Sequence, residues 1–453
     1  MKRLAWLILL AVALPVVAAE SQRRFPPPDF TDHKLPVNVN PLPRAAGWDY
    51  ADVAVLTAAL AAASYIAVRG RSRKAMVAVM LLSLGYFGFV RGGCVCTIGS
   101  IQNVALALAD SSYAIPWTVA AFFLLPLAFA LIFGRAFCGG VCPMGAIQDA
   151  LLLRPLRVPA WLSETLGLLP PLYLGLAIVF AATGSGFLIC QYDPFVALFR
   201  LGHWGLLASG KAAFTLLHLS VPTVMQDPGP ADMFTLAGVA GIGLLVLGMF
   251  VGRPYCRFLC PYGAILRPLS ALSRWHLSIA PKPCVKCRLC ENACPFGAIR
   301  TPADPTGPRL AGKWALTSML ILTPVLMAAG SWAFWRAGGF LAAQSPSGQM
   351  LHLVESELPD APPTVTGAGG YLDQHGLDVK TVRATAAAVR GQMTLGMGLV
   401  GGLLGLVAGS RLVRLSTRRH SNEFNADRAL CVSCGRCWRY CPLGKPTRPG
   451  ASQ

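Results

Sequence analysis

Charge is what this sequence has least of. Only 13% of its 453 residues are Asp, Glu, Lys or Arg, against about a quarter in ordinary soluble domains, which excludes two or three soluble domains as its main mass. Acidic residues are the scarcer sign, 20 against 39 basic ones, leaving a formal charge of +19. Such a surplus could serve nucleic acid, but the Lys and Arg residues flank apolar runs, as membrane topology requires, so no nucleic-acid partner is expected. The apolar runs also lack the series of acidic residues that a transporter's path would need. The 15 cysteines are too few for a disulfide scaffold and too regularly clustered to be casual core residues. What remains is apolar: 54% hydrophobic residues and a mean hydropathy of +0.54 point to an all-α polytopic membrane protein.

Lys2 and Arg3, an apolar run to Val17, and Ala18 and Ala19 make 1–19 an export signal, either cleaved or retained as an anchor. A Pro-rich periplasmic segment, 20–50, follows. Spans are expected at 51–68, 75–92, 114–133, 167–188, 232–252, 313–331 and 392–410. Arg69, Arg71, Arg73 and Lys74, then Arg154 and Arg157, then Arg253, Arg257, Arg267 and Arg274 mark their loops as cytoplasmic. Arg411, Arg414, Arg418 and Arg419 place the C-terminal tail on the same side, and the acidic loop 332–391 falls opposite, in the periplasm. The expected location is therefore the bacterial inner membrane. Phe195–Leu219 is apolar enough to span, yet counting it would turn the Arg-rich loops outward, so it is read as re-entrant or interfacial. Its His203 and His218 are either interfacial polar residues or contacts to a quinone or haem.

A text repeats within 51–275. Gly134-Arg135-Ala136-Phe137-Cys138-Gly139-Gly140-Val141-Cys142-Pro143 returns 118 residues later as Gly252-Arg253-Pro254-Tyr255-Cys256-Arg257-Phe258-Leu259-Cys260-Pro261. Each copy follows a span entering from outside, so an internal parallel repeat about an axis along the membrane normal is expected. That axis would bring Cys138 and Cys142 toward Cys256 and Cys260, with Gly145 and Gly263 allowing close backbone approach. Four such thiolates suit an additional Fe-S or zinc centre, their charge offset by Arg135, Arg253 and Arg257; the alternative is packed neutral cysteines. Near the outer ends of the hairpins, Cys94, Cys96 and Cys190 make either an outer metal centre, with Asp193 or another residue as fourth ligand, or a disulfide.

The strongest signal lies in two further runs. Cys284, Cys287, Cys290 and Cys294-Pro295, within 276–302, and Cys431, Cys434, Cys437 and Cys441-Pro442, within 420–447, have the spacing of bacterial two-cluster ferredoxins. The fourth cysteine of such a run serves the other cluster, so the expected sets for two 4Fe-4S clusters are Cys284, Cys287, Cys290 with Cys441, and Cys431, Cys434, Cys437 with Cys294. The halves lie 147 residues apart with two spans between them, and meet only if both are cytoplasmic. Lys282, Lys286, Arg288, Arg436 and Arg439 would soften the cluster charge and help an acidic cytoplasmic donor dock, or would serve only as positive-inside anchors.

These motifs resemble the NosR/NapH type of polyferredoxin membrane proteins, which accompany nitrous oxide reductase and periplasmic nitrate reductase. The resemblance covers about 50–300 and the tail from 420. It implies two 4Fe-4S clusters on the eight ferredoxin-spaced cysteines, and a part for Cys138, Cys142, Cys256 and Cys260 in moving electrons toward a periplasmic acceptor. The separation of the two runs by a membrane hairpin looks more like the NosR branch. That branch carries a large N-terminal FMN-binding domain, for which about 30 residues between Ala19 and the first span leave no room. A separate periplasmic flavin or redox subunit is therefore implied. The expected function is transmembrane electron transfer between a cytoplasmic or quinol donor and that acceptor. The alternatives are a metal-reducing maturation factor for a copper or haem-copper enzyme, and a redox-sensing scaffold.

Overall fold

The computed structural model describes residues 46–91, 97–156, 158–194, 199, 240–279, 284–302, 313–357, 378–416 and 424–442. The expectations at 1–19, at most of 20–50, and at Cys94, Cys96, His203 and His218 lie outside the described residues. Five helical stretches are long and apolar enough to cross a membrane: Gly47–Gly70, Arg73–Val90, Trp161–Ala182, Thr317–Ala343 and Val379–Val413. With one two-stranded ribbon as its only sheet among the described residues, the chain is an all-α polytopic membrane protein.

The first two spans form a tight hairpin. Arg71, at φ 45°, closes the first helix, and Ser72 starts the second by accepting from the Ala75 amide at 3.3 Å. The expected span 114–133 is the helix Trp117–Phe133, 17 residues with no charged side chain, bounded by Pro116 and by Gly134 at φ +73°. At 1.5 Å per residue it reaches about 25 Å, a little less than the hydrocarbon core. Of the expected span 232–252, 240–248 is described and helical.

The helices that hold the last two expected spans extend beyond them. The helices run Lys313–Ala343 and Val379–Ser416, and a third, Pro346–Glu357, lies between them, so much of 332–391 is helix rather than loop. Polar residues cost a helix little once it leaves the hydrocarbon, so the apolar run ends before the helix does. Within the hairpin, Gly330 and Gly401 face each other so closely that a side chain on either would strike the other's backbone carbonyl.

The main core joins the membrane helices to the cysteine segments without a break. It contains Leu56, Leu60, Met76, Phe87, Phe122, Phe137, Met144, Tyr255, Tyr262 and Leu266, together with Cys138, Cys142, Cys256 and Cys260, and extends to Phe296, Val432 and Cys434.

Candidate metal centres

The two ferredoxin-spaced runs form one unit. Strand β1, Ile299–Arg300, pairs antiparallel with β2, Asn425–Ala426, in the register Ile299 to Ala426 and Arg300 to Asn425. Arg300 clamps Asp427 with two hydrogen bonds of 2.9 and 2.6 Å, and the Asp427 amide donates to the Ala298 carbonyl at 2.7 Å. Cys284, Cys287, Cys290 and Cys441 line a single small cavity together with Ile279, Phe424 and Pro442. Cys294 lies instead within electrostatic reach of Cys431 and Cys437. Cys441 thus stands with the first run's three close cysteines, and Cys294 beside two of the second run's. The loops share one backbone pattern: Lys286 and Arg288 at φ 54° and 59° match Ser433 and Gly435 at φ 54° and 72°. Alternating left-handed residues turn successive N–H groups toward one concavity, a form suited to an anionic cluster.

The copies of the membrane repeat adopt similar turns. Short helices Ala136–Gly140 and Pro254–Phe258 carry Cys138 and Cys256. After a break, Cys142 and Cys260 cap the helices Pro143–Leu151 and Pro261–Ala271, with proline at the first position. The Cys260 Sγ accepts from the Gly263 amide at 3.3 Å. All four thiols are buried and act on one another electrostatically. The contacts between copies are reciprocal. Arg253 passes over Gly145 and Arg135 over Gly263; Arg253 also donates to the Cys138 carbonyl, and within its own copy Arg135 reaches the Cys138 Sγ at 3.7 Å. The two copies differ at the arginine itself, for Arg253 is left-handed at φ 49° and Arg135 is not.

Among the described residues, no three His, Cys, Asp or Glu side chains stand close enough to grip a single metal ion. A tetrahedral zinc site at the four repeat cysteines would draw all sulfurs to about 2.3 Å from one ion, whereas a polynuclear cluster would place iron and sulfide between its thiolates. Buried Arg135 and Arg253 fit an anionic group: the Nε of each has no hydrogen-bond acceptor among the described residues.

The cysteine unit sits directly on both copies of the repeated text. Gly139 presses on the backbone of Val432 and Ser433, and a Cβ on Gly252 would lie 2.8 Å from Pro295. Asp149, its side chain wholly buried, binds Arg73, Arg253 at 3.6 Å and Arg436 at 3.2 Å. Arg73 also donates to the Cys434 carbonyl. One carboxylate thereby ties a membrane helix, both repeat copies and the second cysteine run together.

Burial alone would raise the Asp149 carboxyl, but Arg253, Arg73 and Arg436 outweigh it and hold the pKa at about 2. An unfolded Asp titrates near 3.9, so the group stabilises the folded chain above about pH 4, and this contribution, about 2 kcal/mol, fades as pH falls toward 2. The expected result is a gap in thermal midpoint between wild type and Asp149→Asn that is constant from pH 7 to 5 and closes toward pH 2. A gap independent of pH would contradict the assignment.

Asp149 escaped the sequence reading, although it is the one acidic residue between Asp110 and Glu164, in a stretch that is otherwise basic. Arg73 and Arg436 were read as topological or cluster-facing charges, and their common partner lies 76 and 287 residues from them. The outer group is reached only in part. Cys190 is exposed on the short helix Leu188–Tyr192. Asp193 is buried and accepts a hydrogen bond from the Tyr255 hydroxyl, beside Cys256.

Comparison with known proteins bears on these cysteines. The profile of a 4Fe-4S binding domain matches residues 115–159 and again 233–280, and another 4Fe-4S binding domain profile matches 278–300. The chain is 27% identical over 221 residues to YccM of Escherichia coli, a protein named for electron transport, covering 46% of this chain and 54% of YccM. It is 31% identical over 193 residues to NirI of Paracoccus denitrificans, covering 40% of this chain and 24% of NirI. To the regulatory protein NosR of Pseudomonas aeruginosa it is 29% identical over 239 residues, covering 51% of this chain and 30% of NosR. The chain therefore spans about half or less of the length of each of these three relatives. No solved structure matches. The chain is distantly related to NosR/NapH-like 4Fe-4S membrane proteins and has 4Fe-4S binding capacity. Its iron–sulfur domains and membrane helices support a role in membrane-associated electron transfer.

Proposed function

We propose that this protein carries single electrons across a bacterial inner membrane, with its cysteine unit on the cytoplasmic side and a periplasmic flavin or redox subunit as partner. In this reading Cys284, Cys287, Cys290 and Cys441 hold one 4Fe-4S cluster, and Cys431, Cys434, Cys437 and Cys294 hold the other. Cys138, Cys142, Cys256 and Cys260, contributed by the two repeat copies, hold a further Fe-S centre. When bound, each cluster accepts and releases one electron at a potential set by burial and by hydrogen bonds to sulfur.

The observation that carries the reading is the seating of the cysteine unit on the repeat. Arg253 is acted on by Cys138, Cys256 and Cys434 at once, so one buried guanidinium adjoins both groups of thiols. The residues here have separable tasks. Arg135 and Arg253 supply positive charge where thiolates would otherwise be costly to bury. Gly139 removes the bulk that would hold the two groups apart, and Phe296, with Arg253 at 5.8 Å from its ring centre, excludes water from the seam. Arg69, Arg71, Arg73 and Lys74 beside the unit support the cytoplasmic assignment.

Iron and sulfide analysis with EPR of the purified protein tests the reading. About twelve irons per chain are expected, four for each of three cubanes. About eight would leave the ferredoxin-spaced runs loaded and remove the centre on the repeat. Absence of iron would overturn the function altogether.

A further inference from the structure

The two cysteine runs share a loop conformation but not an environment. At the offset of 147 residues, Val285, Lys286, Cys287, Arg288 and Leu289 correspond to Val432, Ser433, Cys434, Gly435 and Arg436. In the second run Val432, Ser433 and Cys434 are 6%, 3% and 8% exposed, because the repeat's Gly139 covers them. In the first run all five residues are exposed, Val285 by 58% and Leu289 by 45%. Cys287 and Arg288 stand at the mouth of the cavity that Cys284, Cys290 and Cys441 share.

The covered loop shows what a partner must offer to sit on such a surface. Gly139 brings backbone against backbone with no side chain between, and Asp149 supplies a carboxylate to Arg436. The uncovered loop presents the same backbone with two extra cations, Lys286 and Arg288, where the covered one has Ser433 and Gly435. An exposed valine and leucine flanked by two cations, around an exposed cysteine, suit a protein surface with carboxylates ringing an accessible redox centre.

We propose that residues 285–289 are the docking port for an acidic one-electron carrier protein, and that electrons pass first to the set at Cys284, Cys287, Cys290 and Cys441, and then to the set beside the membrane repeat. This rests on the electron-transfer reading above and adds its partner and order. One electron would leave the carrier, whose centre is oxidised, and would reduce the 4Fe-4S cluster that Cys284, Cys287, Cys290 and Cys441 would hold; no bond is made and no proton moves. The reverse transfer would use the same port. Arg436 takes no part in docking, because Asp149 already holds it.

The test uses the iron-loaded, detergent-solubilised full chain, with a reduced plant-type [2Fe-2S] ferredoxin as an acidic carrier probe and reduced methyl viologen as a small cationic one. Reduction by ferredoxin should be fast at low salt and slow steeply as salt is added. The double variant Lys286→Glu and Arg288→Glu should lose about tenfold or more in that rate and most of its salt dependence. Its reduction by methyl viologen should be no slower than that of wild type and its integrated EPR signals should match wild type, showing both sets intact. Reversal of Arg383, an exposed residue paired with Glu355 on another helix, should leave the ferredoxin rate unchanged. A double variant with the wild-type ferredoxin rate and salt dependence, or an equal loss on reversing Arg383, would overturn the port while leaving the electron-transfer reading in place. Wild-type protein that gives no cluster signal with either reductant would overturn both.

Discussion

Replacing Cys138 and Cys256 together by alanine is expected to reduce transmembrane electron transfer to background while leaving both ferredoxin-spaced sets assembled. The pair is chosen because each cysteine sits inside a short helix, Ala136–Gly140 or Pro254–Phe258, where alanine is the best helix former and only a sulfur is lost. Cys142 and Cys260 would be less clean targets. Each caps the next helix, and removing the Cys260 sulfur also removes its bond to the Gly263 amide, so stability and transfer would fall together. The cysteine unit should not feel the double replacement. Its ribbon, the Arg300–Asp427 clamp and the Trp438 indole bond to the Ser278 carbonyl at 3.0 Å involve neither sulfur. The measurement is reduction of an acceptor confined to one side of proteoliposomes by a donor on the other, beside EPR of the reduced protein. About 30 Å of hydrocarbon separates the two faces, too far for a useful single hop. Wild-type transfer by the double variant would show that the electron does not use the repeat.

What could be read from the sequence divides by the range of the interaction. Cysteine spacing is local, and it marked both runs; the further expectation that they meet used loop charge alone. The ribbon between Ile299–Arg300 and Asn425–Ala426 joins them within one unit. Helix ends in 332–391 were not legible, because an apolar run records the membrane's thickness and a helix can outlast it. Least visible was the seam. Gly139 reads as one of two glycines in a turn until Val432 arrives from 293 residues away, and Asp149 reads as a solvated loop residue until three arginines surround it. Close approach and buried charge are properties of pairs, and neither pair has a sequence signature.

Asp149→Ala should therefore be among the most damaging single replacements in the chain, costing about 3–5 kcal/mol by leaving buried charge uncompensated. Arg73 and Arg436 retain some exposure, 16% and 24% of their side chains, and can turn to solvent. Arg253, with 1% exposed, cannot. Asp149→Asn separates charge from shape: if the carboxylate's charge matters, Asn should lose the roughly 2 kcal/mol that the charge contributes, and if only its volume matters, Asn should resemble wild type. Limited proteolysis and the thermal midpoint report the loss, with the cysteine unit expected to become protease-sensitive before the membrane helices. The double change Asp149→Leu with Arg253→Met carries the distinction further. An apolar pair of similar size often replaces a buried ion pair without loss, so stability should largely return. Transmembrane transfer should not, because Arg253 is also the guanidinium beside Cys138, Cys256 and Cys434, and methionine offers those sulfurs no positive charge. Recovery of both properties would reduce the arginine to a structural strut; recovery of stability alone would assign it to the electron path.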